Sequence, residues 1–179
     1  YTPLPEDSVS VAPNKLKVSN VSNPFYFPAK QTYTVSSRNI VAMATATTAL
    51  STGQFGQFPL YVFTGEGVFA LSVGTGDNAY ANSFYVSRDV CNNPDSIVST
   101  DDAIVFSTDS GLKVLSGSTV RDISSDMEGY LPTAVDSSPI IKKIAGVGGF
   151  SDKLSSTEFI YYLEEAKVGY NYKDKEVIV

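Results

Sequence analysis

Several residue types that carry common chemistry are scarce or missing from this chain. Its 179 residues include no histidine and no tryptophan, and cysteine occurs once, at Cys91. Without histidine the chain lacks the usual general base near neutral pH and the commonest metal ligand, which excludes most catalytic triads, cysteine–histidine dyads and catalytic zinc sites. A lone cysteine cannot form an intrachain disulfide, and we expect Cys91 to be a small buried residue.

Charged residues are also sparse, at 18% of the chain, and the formal net charge is −6. An acidic balance without a basic stripe argues against a protein that grips nucleic acid by neutralising phosphates. No apolar run approaches the roughly 18 residues of a membrane span, and no signal peptide is recognisable. We therefore expect no membrane partner.

Side chains that suit β-sheets are abundant instead. The chain has 11 tyrosines and 10 phenylalanines, and serine and threonine are frequent. Such residues fit a pleated, half-buried surface. Short alternating runs separated by Gly, Pro and Asn turns are typical of antiparallel meanders. We predict a mainly all-β fold of antiparallel meander sheets with one short helix near the C-terminus.

The sequence is organised around residues 58–72, FPLYVFTGEGVFALS, which read as strand, tight turn and strand. Residues 103–116, AIVFSTDSGLKVLS, repeat this order. The matched pairs are Val62 with Val105, Phe63 with Phe106, Leu71 with Leu115 and Ser72 with Ser116. The first two pairs are about 43 residues apart, within the period of four-stranded propeller blades. The repeat therefore predicts partial β-propeller-like blades.

This pattern divides the chain into three parts. Residues 1–13 carry three prolines and are predicted to be an extended arm. Residues 14–127 are predicted to hold about two to three blades. In residues 128–179, we predict a strand at 140–145, a helix over about 156–166 that begins at a capping box, and a final hairpin. This last part would be the start of a further blade of a longer protein.

Carboxylates are the only plentiful reactive groups, and four residues stand out as candidates for a site. Glu66 and Asp109 occupy the two matched hairpin turns, where solvated acids are ordinary and a weak ion site is the alternative. Phe55 and Phe58 flank a glycine in a long polar connection, and are predicted either to tuck under a neighbour or to form a ligand platform. The four therefore define a candidate packing or binding loop.

No other group of residues matches a known catalytic or metal-binding pattern. Acidic and amide residues between positions 89 and 95 fit neither the EF-hand loop nor the glycine-rich calcium repeat. Residues 146–149, GVGG, are not followed by the capped helix of a dinucleotide site. We therefore predict no catalytic residue, no metal and no cofactor.

Three ordered segments give the chain a resemblance to a known family. They are residues 14–28 with their Asn-Pro turn, the hairpin at 62–71, and residues 87–97 leading into 103–112 and 122–124. Together these resemble the β-propeller tail proteins of short-tailed phages, the hub or nozzle ring below the portal, and related prophage proteins of Bacteroides-like bacteria. The match covers roughly residues 14–127, and the chain is too short for a closed ring of blades.

The resemblance implies a non-catalytic structural component of a virion tail. Such a protein would form a homo-oligomeric ring, contact other tail and portal proteins, and retain and pass DNA without binding it specifically. An acidic lumen would repel DNA and let it slide. The alternative is a carbohydrate- or protein-binding β module of a bacterial surface protein, with Phe55, Phe58 or Tyr80 as stacking platforms. A hydrolase completed by residues outside this chain is a third, less favoured hypothesis.

Overall fold

The computed structural model of the protein describes residues 11–46, 58–124 and 156–179. Within these ranges the chain is mostly antiparallel β-sheet, as predicted, and none of the sheets closes on itself. The elements are β1 (Lys15–Lys17), β2 (Thr32–Thr34), β3 (Ile40–Thr45), β4 (Leu60–Thr64), β5 (Gly67–Val73), β6 (Tyr80–Ser87), β7 (Val98–Ser99), β8 (Ile104–Thr108), β9 (Gly111–Ser116), β10 (Thr119–Asp122), α1 (Ser156–Glu165), β11 (Gly169–Asn171) and β12 (Glu176–Ile178). Two short 3-10 turns cover Ala29–Gln31 and Pro94–Ser96.

Two four-stranded meanders form the centre of the molecule. The first sheet has the strand order β3-β4-β5-β6, and the second sheet has the order β7-β8-β9-β10. Every neighbouring pair in both sheets is antiparallel. The predicted meanders are therefore confirmed. The predicted strand at residues 140–145 and most of the predicted arm lie outside the described residues.

The hairpin turns of the two sheets are built in the same way. Thr64 pairs with Gly67 and Thr108 with Gly111, and each threonine hydroxyl donates to the carbonyl of its glycine, at 2.9 and 3.0 Å. Both glycines have positive φ, 135° and 123°, which L-residues rarely adopt. Glycine is therefore required at this corner of each turn.

These turns correct the alignment of the first strand of the repeat. When Thr64 is matched with Thr108, Val62 corresponds to Phe106 and not to Val105. The matches of Leu71 with Leu115 and of Ser72 with Ser116 agree with this alignment and need no correction. β4 and β8 are buried on both faces, so their apolar runs lack the alternation that would reveal a shift of one residue.

The two sheets pack face to face around one core. Tyr61 and Phe63 of the first sheet meet Ile104 and Phe106 of the second, and the two phenylalanine rings lie edge to face with centroids 5.0 Å apart. The Tyr61 hydroxyl also donates to the carbonyl of Gly117 across the interface, at 2.7 Å. Two apolar faces and a buried hydrogen bond hold the sheets together.

A smaller layer covers the outer face of each sheet. The N-terminal layer, formed by β1, β2 and the loop between them, places Leu16 and Tyr33 against Val62 on the far side of the first sheet. The C-terminal layer, formed by α1, β11 and β12, places Leu163 and Val177 against the far side of the second sheet. The described chain is thus a stack of four layers in sequence order.

The predicted short helix near the C-terminus is confirmed, from Ser156 to Glu165. Leu163 of this helix is fully buried against the second sheet. The final hairpin is also present, and the carboxylate of Asp101, which lies before β8, contacts both the Tyr170 hydroxyl and the Lys175 ammonium. The C-terminal layer is therefore attached to the second sheet by packing and by polar contacts.

Candidate functional site

Glu66 makes hydrogen bonds that fix its turn. Its carboxylate accepts a hydrogen bond from the Ser37 backbone N–H at 3.0 Å, and its own N–H donates to the Thr64 hydroxyl at 3.2 Å. The side chain therefore ties the turn of the first sheet to the segment that leads into β3. A carboxylate that accepts from the backbone in this way fixes a loop, as turn acids commonly do.

Asp109 lies in the matching turn, but at a different position within it. It corresponds to Gly65, while Ser110 takes the place of Glu66 and donates its N–H to the Thr108 hydroxyl at 3.3 Å. Asp109 is exposed at the tip. The two acids therefore occupy equivalent turns without forming equivalent sites.

Phe58 immediately precedes β4 and remains 44% exposed. An exposed ring next to a buried strand is consistent with the prediction of a binding platform and also with ordinary surface exposure. Phe55, predicted to lie beside it, is outside the described residues. Tyr80, the other ring predicted as a stacking platform, is half-buried and packs edge to face on Tyr33, with centroids 5.7 Å apart.

A polar cluster that the sequence did not single out lies in the linker between the sheets. The Ser96 hydroxyl donates to the Asn93 carbonyl at 2.6 Å and accepts the Ser107 N–H at 2.9 Å. The Ser107 hydroxyl in turn donates to the side-chain oxygen of Asn92 at 2.7 Å. These bonds fix the 3-10 turn of the linker against β8, and they satisfy buried polar groups that would otherwise destabilise the fold.

Cys91 lies beside this cluster and is buried, as predicted. Burial raises the pKa of its thiol, against the opposing effect of contacts with Asn93 and Ser96. Because the thiolate is the nucleophile, a raised pKa makes this cysteine poorly reactive near neutral pH. The residue therefore has the properties of a core side chain.

Asn93 clamps the end of the C-terminal helix. Its side-chain amide donates to the carbonyls of Leu163 and Ala166 at 2.9 and 2.6 Å, while its side-chain oxygen accepts the Asp95 N–H at 3.0 Å. Helix ends leave carbonyls without intrahelical partners, so this one side chain satisfies two of them. The Asn-Pro-Asp sequence predicts the cap of the 3-10 turn, but nothing local indicates the distant helix.

A half-buried charge cluster joins the linker to the second sheet. The Lys113 ammonium lies 3.1 Å from the Asp89 carboxylate and 3.6 Å from that of Asp122, and its side chain is only 15% exposed. Burial alone would lower the pKa of Lys113, but the hydrogen bonds and charges of the two aspartates outweigh it, and the net pKa is raised. Lys113 therefore stays charged at neutral pH and crosslinks the linker to the second sheet.

These features describe a scaffold whose polar groups mostly contact one another. Across residues 11–46, 58–124 and 156–179, no group of three or more Cys, Asp or Glu side chains is arranged to hold a metal ion. In the same part of the chain, α1 does not have the length and apolar character needed to cross a membrane. Glu66, Asp109 and Phe58 each lie at a strand end, and the observed contacts of Glu66 are structural.

Comparison with known proteins yields no relative from which a role could be transferred. No protein-family model, no curated protein sequence and no solved structure matches the chain.

Proposed function

We propose that this protein is a structural building block of a phage or prophage virion tail, in which stacked β-meanders form part of a ring below the portal. One observation carries the proposal: the two sheets have the same strand order and the same hairpin turn, and they pack face to face in sequence order. Face-to-face packing of consecutive four-stranded meanders is also expected of neighbouring propeller blades, and this likeness supports the proposal.

The contacts of the linker between the two sheets support a structural role. Residues 88–97 connect β6 to β7, and within this short linker Asp89 pairs with Lys113 while Asn93 binds the helix end. Polar side chains are thus used to fix one layer against the next. A protein that must keep its shape in a particle needs such fixed relations between layers.

The runner-up is a carbohydrate- or protein-binding β module, and exposed rings favour it. Phe58 is accessible, and so are Phe84 and Tyr85 on β6, which would allow stacking against a sugar face. Phe84 and Tyr85 are successive residues of β6, so their rings point to opposite faces of the sheet and cannot form one stacking platform. The structural role therefore remains the preferred proposal.

Electron microscopy of the protein produced at its full length tests the proposal. A ring or cylinder with a fixed number of copies supports a tail component, and the resolved density should place the two sheets side by side around the ring. A monomer that binds glycans on an array would overturn the proposal and support the binding module. Replacing Phe58 by Ser provides the matched control, since it should abolish glycan binding but leave a ring intact.

A further inference from the structure

The stack of layers has a direction. The face of the first sheet that carries Tyr61 packs on the face of the second sheet that carries Phe106. In the alignment of the two sheets Phe106 corresponds to Val62, and Val62 lies on the opposite face of the first sheet. Unlike faces therefore meet at the central interface. The N-terminal layer covers the Val62 side and the C-terminal layer covers the Val105 side, so the two ends of the stack differ.

The N-terminal layer exposes a cluster of apolar side chains on one loop. Phe25 is 88% exposed, Tyr26 57% and Phe27 51%, and Val21 on the same loop is fully exposed. These aromatic side chains lie largely in solvent. Large exposed apolar side chains concentrated on one loop are typical of an interaction site.

This aromatic loop is held in shape by its own hydrogen bonds. The Asn20 N–H donates to the Tyr26 carbonyl at 2.8 Å and the Tyr26 N–H to the Asn23 carbonyl at 3.2 Å. The side-chain oxygens of Asn20 and Asn23 accept the N–H groups of Ser22 and Phe25, at 2.9 and 3.0 Å. A loop already fixed in one conformation loses little entropy when it binds, which suits an anchor.

The charged side chains that belong to this layer are lysines, and one of them, Lys30, is paired with Asp77 of the adjoining turn between β5 and β6. Leu16 points toward the first sheet, so its neighbours Lys15 and Lys17 point outward and are exposed. No acidic residue occurs anywhere between Asp7 and Glu66. The aromatic loop and the two lysines thus form a basic, aromatic surface.

The C-terminal layer has the complementary character. Tyr161, Tyr172 and Ile178 are 65%, 61% and 54% exposed, and Glu164 and Glu165 are exposed on α1 beside the buried Leu163. Residues 156–179 contain more acidic than basic side chains, although the lysines of this layer lie among them. This end of the stack therefore presents the two glutamates of α1 and several exposed aromatic or apolar side chains.

We infer that the N-terminal layer of one copy docks on the C-terminal layer of the next, with the aromatic loop as the apolar anchor and Lys15 and Lys17 opposite Glu164 and Glu165. Opposite charges at the two surfaces would set their register, and buried aromatic side chains would supply most of the affinity. Because different surfaces meet, the contact is heterologous and generates a ring or a filament. The inference deepens the proposed tail function and rests on it.

Charge reversal tests the contact directly. One variant combines Lys15→Glu with Lys17→Glu, and the other combines Glu164→Lys with Glu165→Lys. All four side chains are exposed, and lysines near the C-terminal end of α1 favour the helix, so both variants should fold. Arg88→Glu with Arg121→Glu is the matched control for the lysine variant, because it makes the same change in net charge at exposed positions outside the two end layers.

Sedimentation of the wild-type chain should show association at concentrations up to about 100 μM that weakens as salt is raised. Each charge-reversed variant alone should associate at least about tenfold more weakly, while an equimolar mixture of the two should form a mixed complex because the reversed charges match again. The arginine control should associate like the wild type. A monomeric wild type, unchanged association of the variants, or failure of the mixture to associate would each overturn the inference.

Phe25→Ser provides an independent test of the anchor. Phe25 is almost fully exposed, so the variant should keep its unfolding transition and lose association about tenfold or more. If microscopy shows a ring and neither this variant nor the charge reversals change it, the docking inference is wrong and the tail proposal stands. If the contact is confirmed but only open filaments form, the tail ring is wrong and the docking stands.

Discussion

The two central sheets share a scaffold but stabilise it differently at one position. Phe69 of β5 corresponds to Lys113 of β9, and each faces a cross-strand partner on the edge strand of its sheet, Tyr85 in the first sheet and Asp122 in the second. The aromatic pair lies edge to face at 5.1 Å, whereas the charged pair is 3.6 Å apart and is joined by Asp89. Cross-strand position therefore determines which residues interact, and either an apolar or an ionic pair can stabilise it.

Substitutions at the interface between the two sheets should lower the free energy of unfolding most. Phe106→Ala removes a fully buried ring that packs on Phe63, and we expect it to lower the free energy of unfolding by about 3–5 kcal/mol. Because both sheets contribute to this core, chemical denaturation should remain a single transition at a lower midpoint. Phe84→Ala, at an exposed position of the first sheet, should change stability by less than about 0.5 kcal/mol.

Two separate transitions in denaturant, one for each sheet, would contradict this view of the core. Tyrosine fluorescence and circular dichroism followed on the same samples would detect them. A loss below about 1 kcal/mol for Phe106→Ala would show that the sheets are stabilised independently.

The matched turns should differ in their tolerance of a side chain. Gly67 and Gly111 both have positive φ, so alanine at either position should cost about 1–3 kcal/mol in strain. At Gly67 an added Cβ would also overlap the Ser87 carbonyl of the neighbouring strand. We expect Gly67→Ala to lower the thermal midpoint more than Gly111→Ala, and equal shifts would show that the close approach of Ser87 relaxes freely.

The ionic pair should be sensitive to the loss of its cation. Lys113→Met leaves Asp89 and Asp122 close together and partly buried, and we expect it to lower the free energy of unfolding by about 2 kcal/mol, less than for a fully buried pair. Phe69→Met at the corresponding position of the first sheet is the control, and it should cost less than about 1.5 kcal/mol.

The contribution of this cluster to stability should be lost at high pH. The pKa of Lys113 is raised in the folded state, so its contribution to stability is complete at neutral pH and is lost only as pH rises above the ordinary lysine value of 10.5. Denaturation midpoints of the wild type and Lys113→Met should therefore converge in strong alkali. If the two midpoints converged only below neutral pH, this assignment would be contradicted.

The smallest effect is expected at the hydrogen bond between the sheets. Tyr61→Phe leaves the Gly117 carbonyl without its hydroxyl donor, and we expect a loss of about 1 kcal/mol at neutral pH. Burial raises the pKa of Tyr61 to about 12 from its ordinary value of 10.0. The unfolded chain therefore loses this proton first, and stability should fall as pH rises from 10 toward 12.

Tyr61→Phe should remove that part of the alkaline fall. Urea denaturation of both proteins between pH 9 and pH 11 provides the measurement, and the lysines that also titrate in this range are the same in the two proteins. An equal decline in the two proteins would show that the Tyr61 phenol does not ionise with the expected difference between the folded and unfolded states.

Local signals in the sequence predicted the elements of this fold well. Glycine-bearing turns placed the hairpins at 64–67 and 108–111, and the capping-box sequence placed the start of the helix. The alignment of β4 with β8 could not be determined from the sequence, because both faces of these strands are buried and apolar and polar residues do not alternate along them. The propeller-like character of the two sheets remains a prediction.

The candidate sites were harder to predict, because their contacts are made between distant segments. Glu66 was recognisable as a turn acid, but its bond to Ser37 depends on how two loops meet. Lys113 looked like an ordinary polar residue on a strand, and only the fold brings Asp89 next to it. Asn93 lies 70 residues from Leu163, whose carbonyl it binds.

The bonds of Asn93 have a consequence for proteolysis. They join the linker between the sheets to the end of α1, and Leu163 packs into the second sheet from the same helix. A protease that cut the backbone once between residues 124 and 156 would sever the covalent link but not these contacts. The nicked protein should therefore elute as one species and separate into two fragments only when denatured.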